Sequence, residues 1–74
     1  MVPLTFMESG SLVEIVRFQC GGRCCRRLRE LGVVIGSRYK LTAGTGRGPF
    51  ILSDGSNRIG FGAGMAIKII VREV

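Results

Sequence analysis

Hydrophobic residues along most of this chain recur at the two-residue period that is typical of β-strands. In residues 37–43, Tyr39 and Leu41 fall on one side of a strand, while Arg38 and Lys40 fall on the other. Glycine-rich or polar turns separate the apolar runs, which indicates short strands joined by tight connections. The predicted strands cover residues 11–19, 37–43, 50–53, 58–61 and 67–71, preceded by a leading strand or extended arm in residues 1–7.

Two local signals refine this pattern. The alternation slips once within residues 11–19, where the neighbours Ile15 and Val16 are both apolar. A slip of this kind predicts a β-bulge, because one extra residue in a strand moves the side chains beyond it to the other face. The pair Asp54-Gly55 lies between two apolar runs and predicts a hairpin, with Asp54 as a turn residue.

Residues 22–31 are the place where the period changes to that of a helix. Cys24, Leu28 and Leu31 are spaced at i, i+4 and i+7, which puts them on one face. Gly32 follows, and glycine ends helices readily because it adopts positive φ without steric cost. A helix of about two and a half turns is not stable alone in water. We therefore expect a helix over about residues 22–31, held against the core by Leu28 and Leu31.

These elements predict a mainly β fold in a single domain, residues 1–74. A chain of this length has room for one small core, and closing its strands into a curled antiparallel barrel removes exposed sheet edges. No apolar run approaches the roughly 20 residues of a membrane span, and residues 1–10 lack the pattern of a signal peptide. We therefore expect a cytoplasmic protein without direct membrane insertion.

The charge of the chain points to an anionic partner. Eleven Lys and Arg residues against five acids give a net charge of +6, which attracts acidic protein surfaces, nucleic acids or acidic lipids. The alternative is an ordinary solvated basic surface. Nucleic acid is not expected, because aromatic residues do not alternate with the basic ones as stacking would require. The candidate partner-binding residues are Arg23, Arg26, Arg27, Arg29 and Arg47.

Cys20, Cys24 and Cys25 form a C-x₃-C-C cluster. Thiolates bind iron and zinc, so these residues are candidates for a metal or redox site, although no cofactor is required. Against a metal site, the chain has no His and the cluster lacks a fourth ligand. Cys24 also lies on the apolar helix face, where a free cysteine behaves as a small hydrophobe. An odd number of cysteines in a cytoplasmic protein predicts reduced thiols.

Catalytic chemistry is not indicated, and we expect that the protein is not an enzyme. The sequence contains no His, no carboxylate pair and no nucleophile beside a base. Residues 44–48 are rich in glycine but lack the Gly-Lys-Ser/Thr of a phosphate-binding loop. We expect them to form a mobile hairpin loop that is able to contact a partner.

The order of these features over nearly the whole chain resembles the FeoA family. The matching positions are Gly21-Gly22, Arg27-Leu28, Leu31-Gly32, Gly36, Gly48-Pro49, Arg58-Ile59 and the closing run 66–71. The resemblance implies an SH3-like barrel and an accessory role in ferrous iron uptake. The implied partner is the cytoplasmic part of the membrane GTPase permease FeoB. The family commonly has an aliphatic residue where Cys24 stands, and a basic or polar residue where Cys25 stands.

Two other functions stay open at this point. The same fold occurs as the C-terminal domain of iron- and manganese-dependent repressors, which implies a module that binds a transition metal itself. The other is a basic barrel that binds nucleic acid. The oligomeric state is not predicted by the sequence.

Overall fold

The structure is a computed structural model that describes residues 1–45 and 47–74, and all their side chains except those of residues 44, 45, 47 and 48. The described residues form six strands and three short helical segments. The strands are β1 (Val2–Pro3), β2 (Leu12–Phe18), β3 (Arg38–Thr45), β4 (Arg47–Ser53), β5 (Arg58–Phe61) and β6 (Ile69–Glu73). The helices are α1 (Gly22–Leu31) and α2 (Ala63–Ala66), with a 3₁₀ turn at Leu4–Phe6.

The strands form one antiparallel sheet in the order β1-β6-β2-β3-β4-β5. Strand β2 lies near the centre, where Val13 pairs with Tyr39 of β3 and Ile15 pairs with Val71 of β6. The predicted mainly β class is confirmed, and so is the helix predicted over residues 22–31. The sheet curls around a cluster of buried apolar side chains to which every strand from β2 to β6 contributes.

The predicted bulge is present in β2. Its register against β6 shifts between Ile15 and Arg17, which leaves Val16 as the extra residue. Val13 and Ile15 point into the core before the bulge, whereas Phe18 packs against the core after it. Because the bulge reverses the alternation, Arg17 lies exposed on the outside of the sheet. This position brings Arg17 near Cys25 and Arg29 of helix α1.

The N-terminal segment differs from the predicted leading strand. Strand β1 ends at Pro3, and a 3₁₀ turn follows directly. Proline has no N–H to continue a ladder, and its fixed φ suits the start of a turn. Leu4 is fully buried, whereas 71% of Phe6 is exposed. In a strand the two side chains would share a face, but the turn sends them in different directions.

The prediction of a loop over residues 44–48 is also wrong in its bounds, because strands β3 and β4 extend into this range. Strand β3 continues to Thr45, β4 begins at Arg47, and these two residues pair. Gly46 lies outside the described residues. The β3–β4 register shifts on both sides of Ala43. Glycines in a strand commonly accompany such irregular pairing, so a glycine-rich composition did not distinguish a loop from a bulged strand.

The hairpin between β4 and β5 is confirmed, with Asp54 as its turn residue. The Oδ1 atom of Asp54 accepts hydrogen bonds from the backbone N–H of Asn57 at 2.7 Å and of Ser56 at 2.9 Å. These bonds stabilise the carboxylate and hold the pKa of Asp54 below its ordinary value, Asn57 having the largest effect. Gly55 has a φ of 98°, which other residues rarely adopt.

Glu14 joins three neighbouring strands on the outside of the sheet. Its carboxylate accepts hydrogen bonds from Arg72 of β6 at 3.1 Å and from Arg38 of β3 at 3.2 Å. Both arginines face Glu14 directly in the strand register. Hydrogen bonds from Arg72 first, then from Arg38, lower the pKa of Glu14.

We expect Glu14→Gln to change how the stability of the protein depends on pH. The folded-state pKa of Glu14 lies below its ordinary value of 4.5, so its contribution is complete above that value. The contribution is lost as the pH falls through the folded-state pKa. Urea unfolding followed by far-UV circular dichroism should find the variant less stable than wild type at neutral pH, with the difference vanishing in acid. Glu8→Gln is the control, and an equal loss there, or a pH-independent difference for Glu14→Gln, would contradict the prediction.

Candidate functional site

Helix α1 is anchored to the barrel mainly by one side chain. Leu28 is fully buried, whereas 36% of Leu31 is exposed, so the predicted two-leucine anchor is correct only for Leu28. Cys24 lies half-buried and packs against the edge of the core. Leu31 is partly exposed because it is the last residue of the helix, so no following turn covers it.

The two ends of α1 are built differently. Gly21 precedes the helix without any side-chain hydrogen bond to its first turn. At the other end Gly32 has a φ of 100°, and its N–H bonds the carbonyl oxygen of Arg29 at 3.0 Å. The N–H of Val33, a fully buried residue, bonds the oxygen of Leu28 at 3.0 Å. This glycine-centred cap fixes the C-terminal end, while the N-terminal end has no side-chain cap.

Tyr39 fixes the loop that follows α1. Its hydroxyl donates to the carbonyl oxygen of Gly32 and accepts from the N–H of Val34, both at 3.1 Å. The ring is buried, with 4% of the residue exposed. The helix cap and the next loop are therefore joined to strand β3 by one side chain.

We expect Tyr39→Phe to loosen this loop without disturbing the core. The ring remains in place, but two hydrogen bonds are lost, at a cost of about 0.5–1.5 kcal/mol because water can reach the freed backbone groups. The amide of Val34 should then exchange its hydrogen faster, measured by NMR, together with a lower urea midpoint. Unchanged exchange at Val34 would show that the hydroxyl does not fix the loop. The amide of Leu41, which bonds the carbonyl oxygen of Ser11 at 2.9 Å in the core, is the internal control.

The helix presents four exposed arginines, which we call the α1 arginine surface. Its members are Arg23, Arg26, Arg27 and Arg29. Within residues 1–45 and 47–74 the ion pairs all involve Glu14, so none of these four guanidinium groups is paired. A guanidinium has five N–H donors in a planar fork that suits carboxylates and phosphates. The side chain of Arg47, the fifth candidate, lies outside the described side chains.

Two clefts flank the helix and divide its arginines. The first cleft, of about 530 Å³, lies between the start of α1 and α2. It is lined by Gly21, Arg23, Cys24, Arg27, Gly64, Met65 and Lys68. The second cleft, of about 360 Å³, lies between α1 and β2. It is lined by Arg17, Phe18, Cys25, Arg29 and Ile35.

The clefts bring in two basic residues that the sequence did not single out. Lys68 adds a third positive charge to the first cleft, and Arg17 adds a second to the second cleft. In the sequence, each of these residues is a single basic residue between apolar neighbours. This interruption of an apolar run was the signal that could have identified them. Arg26 lines neither cleft. The site is therefore a basic surface with two partly apolar clefts. Met65 lines the first cleft, and Phe18 and Ile35 line the second.

The cysteines differ from the prediction of reduced thiols. Cys20 and Cys24 form a disulfide, with Cα atoms 5.8 Å apart, and Cys25 is a half-buried free thiol. The physical reason is local: Cys20 lies two residues before the helix begins at Gly22, and Cys24 lies in the first turn of the helix. The Sγ atom of Cys25 lies 3.7 Å from that of Cys20. In the described part of the chain, no three His, Cys, Asp or Glu side chains are arranged to hold a metal ion.

Comparisons with known proteins give one consistent family. The profile of the FeoA domain family matches residues 2–73. A curated relative, "Putative Fe(2+) transport protein A" of Methanocaldococcus jannaschii, is 34% identical over 73 residues, covering 99% of this chain and 88% of the relative. A crystal structure of an iron uptake regulatory protein (FeoA) has a TM-score of 0.88 at 29% identity, covering 99% of this chain and 97% of the other. The predicted SH3-like fold is confirmed by this match.

None of the helices within residues 1–45 and 47–74 has the length and apolar character needed to cross a membrane.

Proposed function

This chain belongs to the FeoA domain family, and on that basis we propose that it is a cytoplasmic accessory protein of ferrous iron uptake. Its partner in this proposal is the cytoplasmic part of the membrane GTPase permease FeoB. The role is non-enzymatic, and the protein acts by binding its partner through the α1 arginine surface.

The observation that carries the proposal is the unpaired charge around α1. Four arginines stand exposed on one short helix, and Arg23 and Arg27 line the first cleft together with Lys68. The three positive charges around this cleft repel one another, and an incoming carboxylate relieves that repulsion. The same cleft offers apolar contact at Met65, which adds affinity that does not depend on salt.

The proposed contact is therefore an acidic segment of the partner that places carboxylates against the guanidinium forks. Bidentate pairs of this kind fix orientation as well as supplying energy. Binding should weaken as salt is raised, because part of the attraction is long-range and screened. Residues 44–48 are a second candidate contact in this proposal.

We expect the double variant Arg23→Glu, Arg27→Glu to bind the purified cytoplasmic part of FeoB at least about 100-fold more weakly, a change of about 2.8 kcal/mol. Each reversal replaces an attraction with a repulsion at the cleft. Isothermal titration calorimetry at near-physiological salt measures the effect.

A matched control is available on strands β3 and β5. Lys40 and Arg58 are exposed and both stand beside Ser53 in the strand register. The double variant Lys40→Glu, Arg58→Glu changes the net charge by the same amount at residues that line neither cleft. Equal weakening in both variants would show that the effect depends on overall charge alone. Unchanged binding in both would show that the α1 arginines do not contribute to the contact.

A further inference from the structure

We propose that Cys20, Cys24 and Cys25 form a thiol–disulfide exchange centre, in which Cys20 pairs alternately with Cys24 and with Cys25. The inference rests on the arrangement of the three sulfur atoms and does not depend on the proposed partner. It assigns to the cysteines an activity that the family role in iron uptake does not include.

The geometry makes Cys20 the shared member. Its Sγ atom is bonded to Cys24 and lies 3.7 Å from the Sγ atom of Cys25. The thiol of Cys25 also donates a weak hydrogen bond, at 3.6 Å, to the carbonyl oxygen of Cys20. A free thiol is thus held beside a disulfide sulfur within the same turn of chain. Thiol–disulfide exchange needs this proximity, because the thiolate attacks a disulfide sulfur directly.

The exchange is balanced without any outside oxidant or reductant. The thiolate of Cys25 attacks the Sγ atom of Cys20, and a new Cys20–Cys25 bond forms. The Cys20–Cys24 bond breaks, and its electron pair leaves on Cys24, which takes up the proton that Cys25 released. One disulfide and one thiol are present before and after. Direct pairing of Cys24 with Cys25 is disfavoured, since successive helix residues point about 100° apart around the axis.

The start of the helix is built to allow the necessary movement. Gly21 and Gly22 have no atoms near the places where their Cβ atoms would be, and no side chain caps the first turn. A helix end without a side-chain cap opens at lower cost than the core. The well-capped end at Gly32 stays fixed, so the motion is confined to the turn that contains the cysteines.

Exchange relocates the free thiol across the helix. Cys25 lines the second cleft beside Arg17 and Arg29, whereas Cys24 lines the first cleft beside Arg23 and Arg27. The two disulfide isomers therefore present a reactive sulfur to different pairs of guanidinium groups.

Two single variants test whether Cys20 reaches both partners. Cys25→Ser leaves Cys20 and Cys24, and Cys24→Ser leaves Cys20 and Cys25. Each full-length variant is reduced and then treated with diamide, and it should form an internal disulfide. Diamide takes up the two electrons and two protons that the thiol pair loses. The two rates should agree within about tenfold. Cys20→Ser is the control and should keep two free thiols.

The wild-type protein supplies a readout that needs no substitution. The oxidised chain is held at mildly alkaline pH, blocked with N-ethylmaleimide, reduced with dithiothreitol and digested with trypsin, which cleaves after Arg23 and Arg26. Fragmentation of the peptide Cys24-Cys25-Arg26 then locates the label. We expect label on both cysteines. Label on Cys25 alone, or failure of Cys24→Ser to form the Cys20–Cys25 bond while retaining wild-type circular dichroism, would overturn the proposal.

Discussion

Replacing Leu28 by alanine is expected to lower the free energy of unfolding by about 2–5 kcal/mol. Leu28 is fully buried and is the one buried residue of helix α1. Removing its branched end leaves a cavity between the helix and the sheet. The loss is a large fraction of the total, since small domains are stable by only about 5–15 kcal/mol.

Leu31→Ala is the matched comparison. The residue type and helix are the same, but 36% of Leu31 is exposed, so we expect a cost of about 1 kcal/mol or less. Urea unfolding followed by far-UV circular dichroism suits both variants, because the chain contains no Trp. The disulfide state must be the same in all samples. Similar costs for the two leucines would contradict a single-residue anchor.

Phe50→Ala should destabilise the protein by about 3–5 kcal/mol, the second of the two largest effects. Phe50 is fully buried and pairs across the sheet with Phe61 of β5. Its loss removes a large apolar surface and opens a void that neighbouring strands cannot fill without moving. The variant is therefore expected to approach the unfolding transition even without denaturant.

The same substitution at Phe6 provides the control. With 71% of this residue exposed, Phe6→Ala should change the free energy of unfolding by about 0.5 kcal/mol or less. Thermal and urea unfolding of the two variants, measured side by side, separate burial from residue type. A large loss at Phe6 would mean that its ring is covered in solution by something other than the described residues.

The features that the sequence predicted well are local ones. The bounds of α1 follow from the spacing of Cys24 and Leu28 and from the stop at Gly32. The bulge follows from the slip at Ile15 and Val16. Such signals act within one turn or one strand, so they are visible before the chain is folded.

The features that were missed depend on what surrounds a residue. Leu4 and Phe6 look equivalent along the chain, yet the turn after Pro3 buries one and exposes the other. Lys68 joins the α1 arginines only because α2 and β6 bring it there. The disulfide was missed for another reason: cysteine count predicted the redox state of the whole chain, whereas a four-residue spacing at a helix start was the informative signal.

The strand order also determines when, during synthesis on the ribosome, the protein is able to complete its sheet. Strand β2, near residue 13, completes its ladder with β6, near residue 73, and β1 has β6 as its neighbour in the sheet. While the chain is being synthesised, its first strands have no partner on that side until the last strand has left the ribosome. The central ladder therefore cannot close during translation of the earlier segments. Folding of this small protein is completed after synthesis of β6, and until then its apolar strand β2 stays open to chaperones.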